Sequence, residues 1–335
     1  MHNRQTKSEL RDSKSTVSST VMVDGYDYSD EIAVVVPVYM SKATLGELCR
    51  RLIAVLETIT QRFAIILVDD GSPDQVWPLI RELGAGDSRI KGIRLTRNFG
   101  QHYALTAGID YARARWYCVM DCDLQHAPED ILGLYAEATN GHQIVVGVFQ
   151  KKGQGLIERA LSRLFYVIFN MLAGTDLEWN VGNFCIFSDR VAVDFRQMRE
   201  QMRFFPASLR LMGYETGTVA LQHHPRQVGA SSYTFWKLAK LAGNAILAHS
   251  QTPLKVTAAI GFSMSLVSFL IALALIARKV VWDIPVIGWT SLIVSIFVVG
   301  GMQIFVTGVV GIYVGKCFEE VKKRPLYFVG DTSNL

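Results

Sequence analysis

Two uninterrupted stretches without a charged side chain, residues 256–277 and 284–315, constrain this chain more than any other feature. A bilayer's hydrocarbon core takes about 20 helical residues to cross, and buried helices of soluble domains are rarely so long without a charge. The pair therefore reads as a two-helix transmembrane hairpin whose short connection carries Arg278 and Lys279. Composition agrees: 19% of residues are charged and half are hydrophobic, where soluble domains carry about 25% charged residues. Two spans leave both chain ends on one side. Lys255 before the first span, and Lys316, Lys322, Lys323 and Arg324 after the second, mark that side as cytoplasmic, with Arg278 and Lys279 as the opposing signal. Gly311 and Gly315 form a GxxxG, and Gly261 with Ser265 a looser small-residue pair. Such spacing serves close helix contacts, and chance produces it as often in a Gly-rich span.

The 335 residues leave room for a soluble domain ahead of the hairpin. A net charge of +4 is too mild to argue for nucleic acid. Five cysteines without a CxxC pair indicate a reducing compartment, with neither a disulfide framework nor a structural zinc site. Residues 1–30 form a polar tail, expected to be disordered, without the apolar run of a signal peptide. From residue 31 the hydrophobic pattern switches between two periods. Ile32–Val38, Phe63–Val68, Ile90–Leu95, Trp116–Met120 and Ile144–Val148 read as strands. Helical spacing follows Ser41, a candidate cap, and recurs near 75–83, 100–114 and 128–139. Strand and helix in alternation, with near-continuous apolar strands, imply an α/β domain whose parallel sheet is covered on both faces. Ligands of such sheets bind beyond the carboxyl ends of the strands.

The expected organisation is a catalytic domain over 31–232, a juxtamembrane amphipathic helix over 233–254, the hairpin over 255–315 and a cytoplasmic tail over 316–335. Residues 156–172 and 233–249 each read as a helix with an apolar, aromatic side and a few basic residues. Each is either a core helix or an in-plane helix at the lipid surface, the second with Trp236, Lys237 and Lys240 at headgroup level.

Both acidic clusters of the α/β segment fall at strand ends. Asp121 and Asp123, two apart in an extended segment, point the same way, with Gln125 as a third oxygen donor. Such a set suits Mg²⁺ or Mn²⁺, which bind few carboxylates and complete their shell with substrate phosphates. Asp69 and Asp70 end the second strand; they either cap a turn or contact a nucleotide. Arg226, Gly229, Ser231, Ser232 and Tyr233 precede a helix, as an anion cradle or an ordinary loop. His223, His224 and His126 are read as non-ligands.

VVVPVY, ILVDDGSPD, RNFGQHYALTAG, MDCDLQHAPEDI, RQVGASSYTFWKL, TPLK and EEVKKRPLYFV occur in this order. Together they resemble the family-2 glycosyltransferases of the polyprenyl-phosphate type, over about residues 31–330. The hairpin followed by EEVKKRPLYFV is similar to the undecaprenyl-phosphate branch, and RNFGQH to its aminoarabinose-transferring members. The resemblance implies a GT-A (Rossmann-like) domain that moves a sugar from a nucleotide-diphosphate sugar to a lipid monophosphate with inversion. It also implies a tetramer in a bacterial inner membrane, its catalytic domain cytoplasmic. By motif, Pro37, Tyr39, Asp69, Asp70 and Ser72 fall in nucleotide-binding segments. Asp121, Asp123 and Gln125 serve Mg²⁺ or Mn²⁺ and the diphosphate; Arg226, Ser231, Ser232 and Tyr233 close over phosphates. Arg159, Ser162 and Arg163 match a basic helix near the lipid phosphate.

Three departures stand out. Met40-Ser41 replaces the usual Asn-Glu after PVY, Phe149 the first Arg of a basic segment now followed by Lys151 and Lys152, and Ser232 the usual Lys. A processive polysaccharide synthase is disfavoured, since QxxRW is absent and two spans are few for a polymer channel. An inert membrane scaffold is disfavoured by the intact DCDLQ. No dedicated protein base is expected, because the acceptor phosphate is already anionic; Glu129 and Asp130 read as residues opening a helix.

Overall fold

In the computed structural model, residues 28–149, 181–201, 203–221, 252–282 and 288–335 are described. Residues 1–27 of the expected 1–30 tail, the 156–172 helix with Arg159, Ser162 and Arg163, Lys151 and Lys152, and 222–251 with Arg226, Ser231, Ser232 and Tyr233 lie outside those residues.

The five apolar runs all become strands: β1 (Asp30–Val38), β2 (Phe63–Asp69), β3 (Ile90–Leu95), β4 (Ala114–Val119) and β5 (Ile144–Phe149). Between them lie α1 (Lys42–Ile59), α2 (Val76–Gly86), α3 (Gln101–Tyr111) and, after a 3₁₀ turn at Pro128–Asp130, α4 (Ile131–Thr139). Strands β4, β1, β2 and β3 are parallel neighbours in that order, with Val35 opposite both Ile66 and Val119.

The sheet departs from the all-parallel expectation. Its order is β7-β5-β6-β4-β1-β2-β3-β8, with β6 (Val181–Ser188) antiparallel to both β4 and β5, and β7 (Thr216–Leu221) parallel to β5. Helices α5 (Asp189–Gln197) and α6 (Phe205–Leu211) connect β6 to β7. Antiparallel insertion needs no crossover helix, so strand–helix alternation does not reveal it.

Alternating side chains of β1 build two cores. Val34 and Val36 pack with Leu45, Leu48 and Leu52 of α1 on one face. Val35 packs with Leu105 of α3, Phe195 of α5 and Phe205 of α6 on the other. Helix α3 lies so close that a Cβ on Gly108 would sit 2.3 Å from Val35 Cγ1. Only glycine fits that contact.

Helices α7 (Thr252–Trp282) and α8 (Trp289–Val321) follow. At 1.5 Å per residue they measure about 46 and 50 Å, and their apolar windows Leu254–Ile271 and Val294–Val321 are 6% and 0% buried. They are long and apolar enough to cross a membrane and are not core helices of the soluble part. Arg278 and Lys279 lie in the last turns of α7 rather than in the connection, because basic residues suit a helix C-terminus. A Cβ on Gly311 or Gly315 would meet nothing within 4 Å, so the GxxxG makes no close contact among the described residues.

The segment expected as a separate tail is also different. Helix α8 runs on to Val321, and β8 (Val329–Ser333) pairs antiparallel with β3 as an edge strand of the catalytic sheet. Trp77 Nε1 donates to Asp331 at 3.0 Å, and Asn334 Nδ2 to the carbonyls of Gly84 and Ile90 at 2.6 and 3.1 Å. Backbone pairing and these few polar contacts hold the strand, whose own residues are mostly exposed.

Candidate active site

The helix after β1 leads to β2 on one side, while the helix after β3 returns to β4 on the other. The strand order therefore reverses between β1 and β4, and a crevice opens at their carboxyl ends. The cleft there has a volume of about 420 Å³, lined by Pro37, Tyr39, Asp70, Asn98, Gln101, Asp121, Asp123 and Gln125, among others.

The loop after β4 supplies the open carboxylates. Cys122 is buried and anchors it: its Sγ donates to Ser41 Oγ at 2.9 Å and its carbonyl accepts from Thr44 Oγ1 at 2.8 Å. With Cys122 turned inward, Asp121 and Asp123 border the cleft half-buried. Leu124 then takes a left-handed backbone, φ 59°, with its side chain in the core. For a leucine this costs roughly 1–2 kcal/mol. The reversal returns Gln125 to the cleft, where its N–H donates to Asp123 Oδ1 at 3.1 Å.

The end of β2 is built differently. Asp69 is 1% exposed; its Oδ1 accepts from the Ser72 N–H at 2.8 Å, and Arg94 Nε lies 3.6 Å from its Oδ2. Asp70 is 3% exposed and accepts the N–H groups of Phe99 and Gly100 at 2.7 and 2.9 Å. Burial pushes both carboxyls above the ordinary range, against the pull of those N–H donors and, for Asp69, of Arg94. Gly71, at φ +63°, lets the turn press on the 96–100 loop: a Cβ there would sit 2.5 Å from the Arg97 carbonyl carbon. Asp70 thus shapes the loop that carries Asn98 and Gln101 into the cleft, and Gln101 Nε2 donates to Asp121 Oδ1 at 2.5 Å.

Ser72 and Ser41 have unexpected tasks. Ser72 Oγ accepts from the Met40 N–H at 2.7 Å and donates to Asp74 at 2.6 Å. Asp74 also accepts the Lys42 N–H at 3.0 Å, so it caps α1 from 32 residues away. Ser41, expected as that cap, makes no capping hydrogen bond; its hydroxyl donates to the Tyr39 carbonyl at 3.0 Å.

The donor set fits a hard divalent cation. Asp121, Asp123 and Gln125 offer oxygen ligands from one short loop, while no group of three or more His, Cys, Asp or Glu among the described residues could enclose a metal. That is the pattern of an ion held by few protein ligands and completed by substrate phosphates.

The segment 33–195, from β1 through α5, matches the model for "Glycosyl transferase family 2". An uncharacterized glycosyltransferase of Synechocystis is 33% identical over 306 residues, 91% of this chain and 96% of that protein. The SfII prophage-derived bactoprenol glucosyl transferase of Shigella flexneri is 31% identical over 300 residues, 89% of this chain and 97% of its own. An undecaprenyl-phosphate 4-deoxy-4-formamido-L-arabinose transferase of Pseudomonas fluorescens is 30% identical over 302 residues, 89% and 88% of the two chains.

The chain belongs to the family-2 glycosyltransferases of the polyprenyl-phosphate type.

Among solved structures, glucosyl-3-phosphoglycerate synthase of Mycobacterium tuberculosis, in complex with Mn²⁺, UDP and phosphoglyceric acid, superposes with a TM-score of 0.46 at 15% identity, over 65% of this chain and 77% of its own. The glycosyltransferase has a mixed GT-A-like sheet, with a crevice where the strand order reverses between β1 and β4.

Of the residues singled out in the sequence, Pro37, Tyr39, Asp70, Asp121, Asp123 and Gln125 meet in this cleft, while Asp69 and Ser72 lie beneath it as scaffold. Asn98 and Gln101 were not singled out. Their signal was a Gly-containing loop at the end of a predicted strand, but only the fold turns Gln101 toward Asp121. His126 is buried with its ring stacked on Phe184, centroids 4.9 Å apart. Glu129, away from the cleft lining, accepts two hydrogen bonds from Arg51 at 3.1 and 2.5 Å.

Proposed function

We propose that this glycosyltransferase transfers a sugar from a nucleotide-diphosphate sugar to a polyprenyl phosphate, with inversion, at the cytoplasmic face of the membrane. The observation that carries the reading is the pair Asp121 and Asp123, held toward a 420 Å³ cleft at the reversal of strand order. The bactoprenol and undecaprenyl-phosphate relatives support the acceptor class. The two membrane-length helices and the basic residues after them support the location.

In this reading Pro37 and Tyr39 border the nucleotide, and the Asp70-shaped loop closes the opposite wall. Asp121, Asp123 and Gln125 would hold Mg²⁺ or Mn²⁺, which when bound neutralises the charge developing on the departing diphosphate. Gln101 restrains Asp121 and keeps that carboxylate on the cleft. An acceptor phosphate oxygen attacks the anomeric carbon from the face opposite the leaving group. The new C–O bond forms as the old one breaks, and its electron pair departs on the diphosphate. No proton need be removed from the nucleophile, because a phosphate monoester with a second pKa of about 6 is largely dianionic at pH 7. Binding and orientation are then what the protein supplies.

The test is incubation of the detergent-purified enzyme with a panel of radiolabelled nucleotide sugars and undecaprenyl phosphate. A single-sugar lipid is the expected product. A polymer, or no product from any donor, would overturn the reading.

A further inference from the structure

The first charged residue on α8, after the uncharged run 284–315, is Lys316. Its Nζ is shut off from solvent and has no hydrogen-bond partner among the described residues. An ammonium without a hydrogen-bond partner and out of reach of water is held at a cost, so it marks a place where an anion from elsewhere would be stabilised. Its position on the helix indicates which anion. Glu320, four residues on, shares its helix face, and Glu320 Oε1 accepts the Gln201 N–H at 2.8 Å. Gln201 also donates through Nε2 to the Arg324 carbonyl at 2.6 Å and accepts a hydrogen bond from Tyr103 of α3. Tyr103 is two residues beyond Gln101, which bonds Asp121 in the cleft. Lys316 therefore lies about 6 Å along the helix, one turn to the membrane side of the point where α8 docks on the catalytic domain.

We propose that Lys316 Nζ binds the phosphate of the polyprenyl-phosphate acceptor and holds that headgroup between the bilayer and the cleft. The assignment rests on the transferase reading above and names a residue for its acceptor side. A phosphate monoester carries nearly two negative charges at pH 7, which pairs well with a desolvated ammonium. The rival source of the same chemistry is the phosphodiester of a bulk anionic phospholipid.

Full-length enzyme in zwitterionic mixed micelles separates the two. Lys316→Gln is expected to raise the acceptor KM, as mole fraction of undecaprenyl phosphate, at least tenfold, with the donor KM within twofold of wild type. Lys316→Arg should restore most of the loss, and Lys323→Gln, at an exposed position just beyond α8, should change neither constant. An unchanged acceptor KM in Lys316→Gln overturns the proposal. So does excess phosphatidylglycerol that erases the difference from wild type, which would make bulk lipid the occupant. Native mass spectrometry of the undecaprenyl-phosphate adduct gives a readout without turnover. A wild-type adduct that Lys316→Gln loses, in an enzyme that transfers no sugar, keeps this assignment while the transferase reading fails; an adduct equal in both proteins overturns the assignment. In lipid-free detergent the Tm of Lys316→Gln should equal or exceed that of wild type, because Nζ has no hydrogen-bond partner among the described residues. A lower Tm would make Lys316 a structural contact and refute the proposal.

Discussion

The ends of β2 and β4 each carry a pair of aspartates beside the same crevice, yet the two pairs are held differently. Asp69 and Asp70 are almost fully buried and accept N–H groups from their own fold, so their carboxylates hold loops in place. Asp121 and Asp123 stay half-buried on the cleft, because the buried Cys122 between them takes the anchoring role. The same residue type at the same kind of strand end becomes a loop anchor or stays open to the cleft according to where the neighbouring N–H groups point.

The largest effect that can break this division belongs to the β4 pair. Asp123→Asn and Asp121→Asn should each lower kcat by about 10²–10³-fold, as expected when transition-state charge loses its stabilisation, while the Tm stays within about 2 °C. Thermal unfolding beside steady-state kinetics checks this; a large Tm loss would place these residues with the scaffold. The β2 pair should behave in reverse. Asp70→Ala leaves the Phe99 and Gly100 N–H groups without their acceptor and should cost about 2–4 kcal/mol of stability. Gly71→Ala should do similar damage, since its Cβ meets backbone at 2.5 Å. Both should also raise the donor KM, as Asn98 and Gln101 shift.

Much of this was legible in the sequence, for identifiable reasons. Strands β1 and β2 announce themselves by near-continuous buried apolar runs and β3 to β5 by shorter apolar ones, and the acidic clusters fall at the ends of β2 and β4. Strand β8 gave no such sign: VGDTS is an exposed edge held by backbone pairing and by Trp77, Gly84 and Ile90, far away in sequence. Ser41 does stand at the N-cap of α1, but the side chain that accepts the helix's first N–H is Asp74, which reaches it through the fold. Which N–H groups Asp69 and Asp70 accept could not be read locally either: Asp69 takes that of Ser72 in its own turn, but Asp70 takes those of the 96–100 loop, brought there by Gly71 packing against it.

A smaller effect sharpens the contrast through pH. Asp69 and Asp70 are held above their ordinary range, so the folded enzyme binds these protons more tightly than the unfolded chain. Their favourable contribution is full below the unfolded pKa of about 3.9 and is lost as pH rises through the raised folded values. Going from pH 7 toward pH 4, the Tm difference between wild type and Asp70→Asn should shift in favour of wild type; no shift, or the opposite one, counts against the burial argument. The smallest effect is expected at Glu129, whose partly exposed pairing with Arg51 is worth about 0–1 kcal/mol. Glu129→Gln and Asp130→Asn should keep most of kcat, whereas a thousandfold loss in either would identify a general base.

The most direct measurement of the division between the two aspartate pairs is Mn²⁺ binding, followed by loss of the free-ion EPR signal in the presence of UDP or GDP. Wild type and Asp70→Asn should take up Mn²⁺ with the better nucleotide at similar affinity, and Asp121→Asn combined with Asp123→Asn should take up none while remaining folded. Mn²⁺ bound equally well by that double variant, or lost from a folded Asp70→Asn, would contradict the assignment of ligand and scaffold.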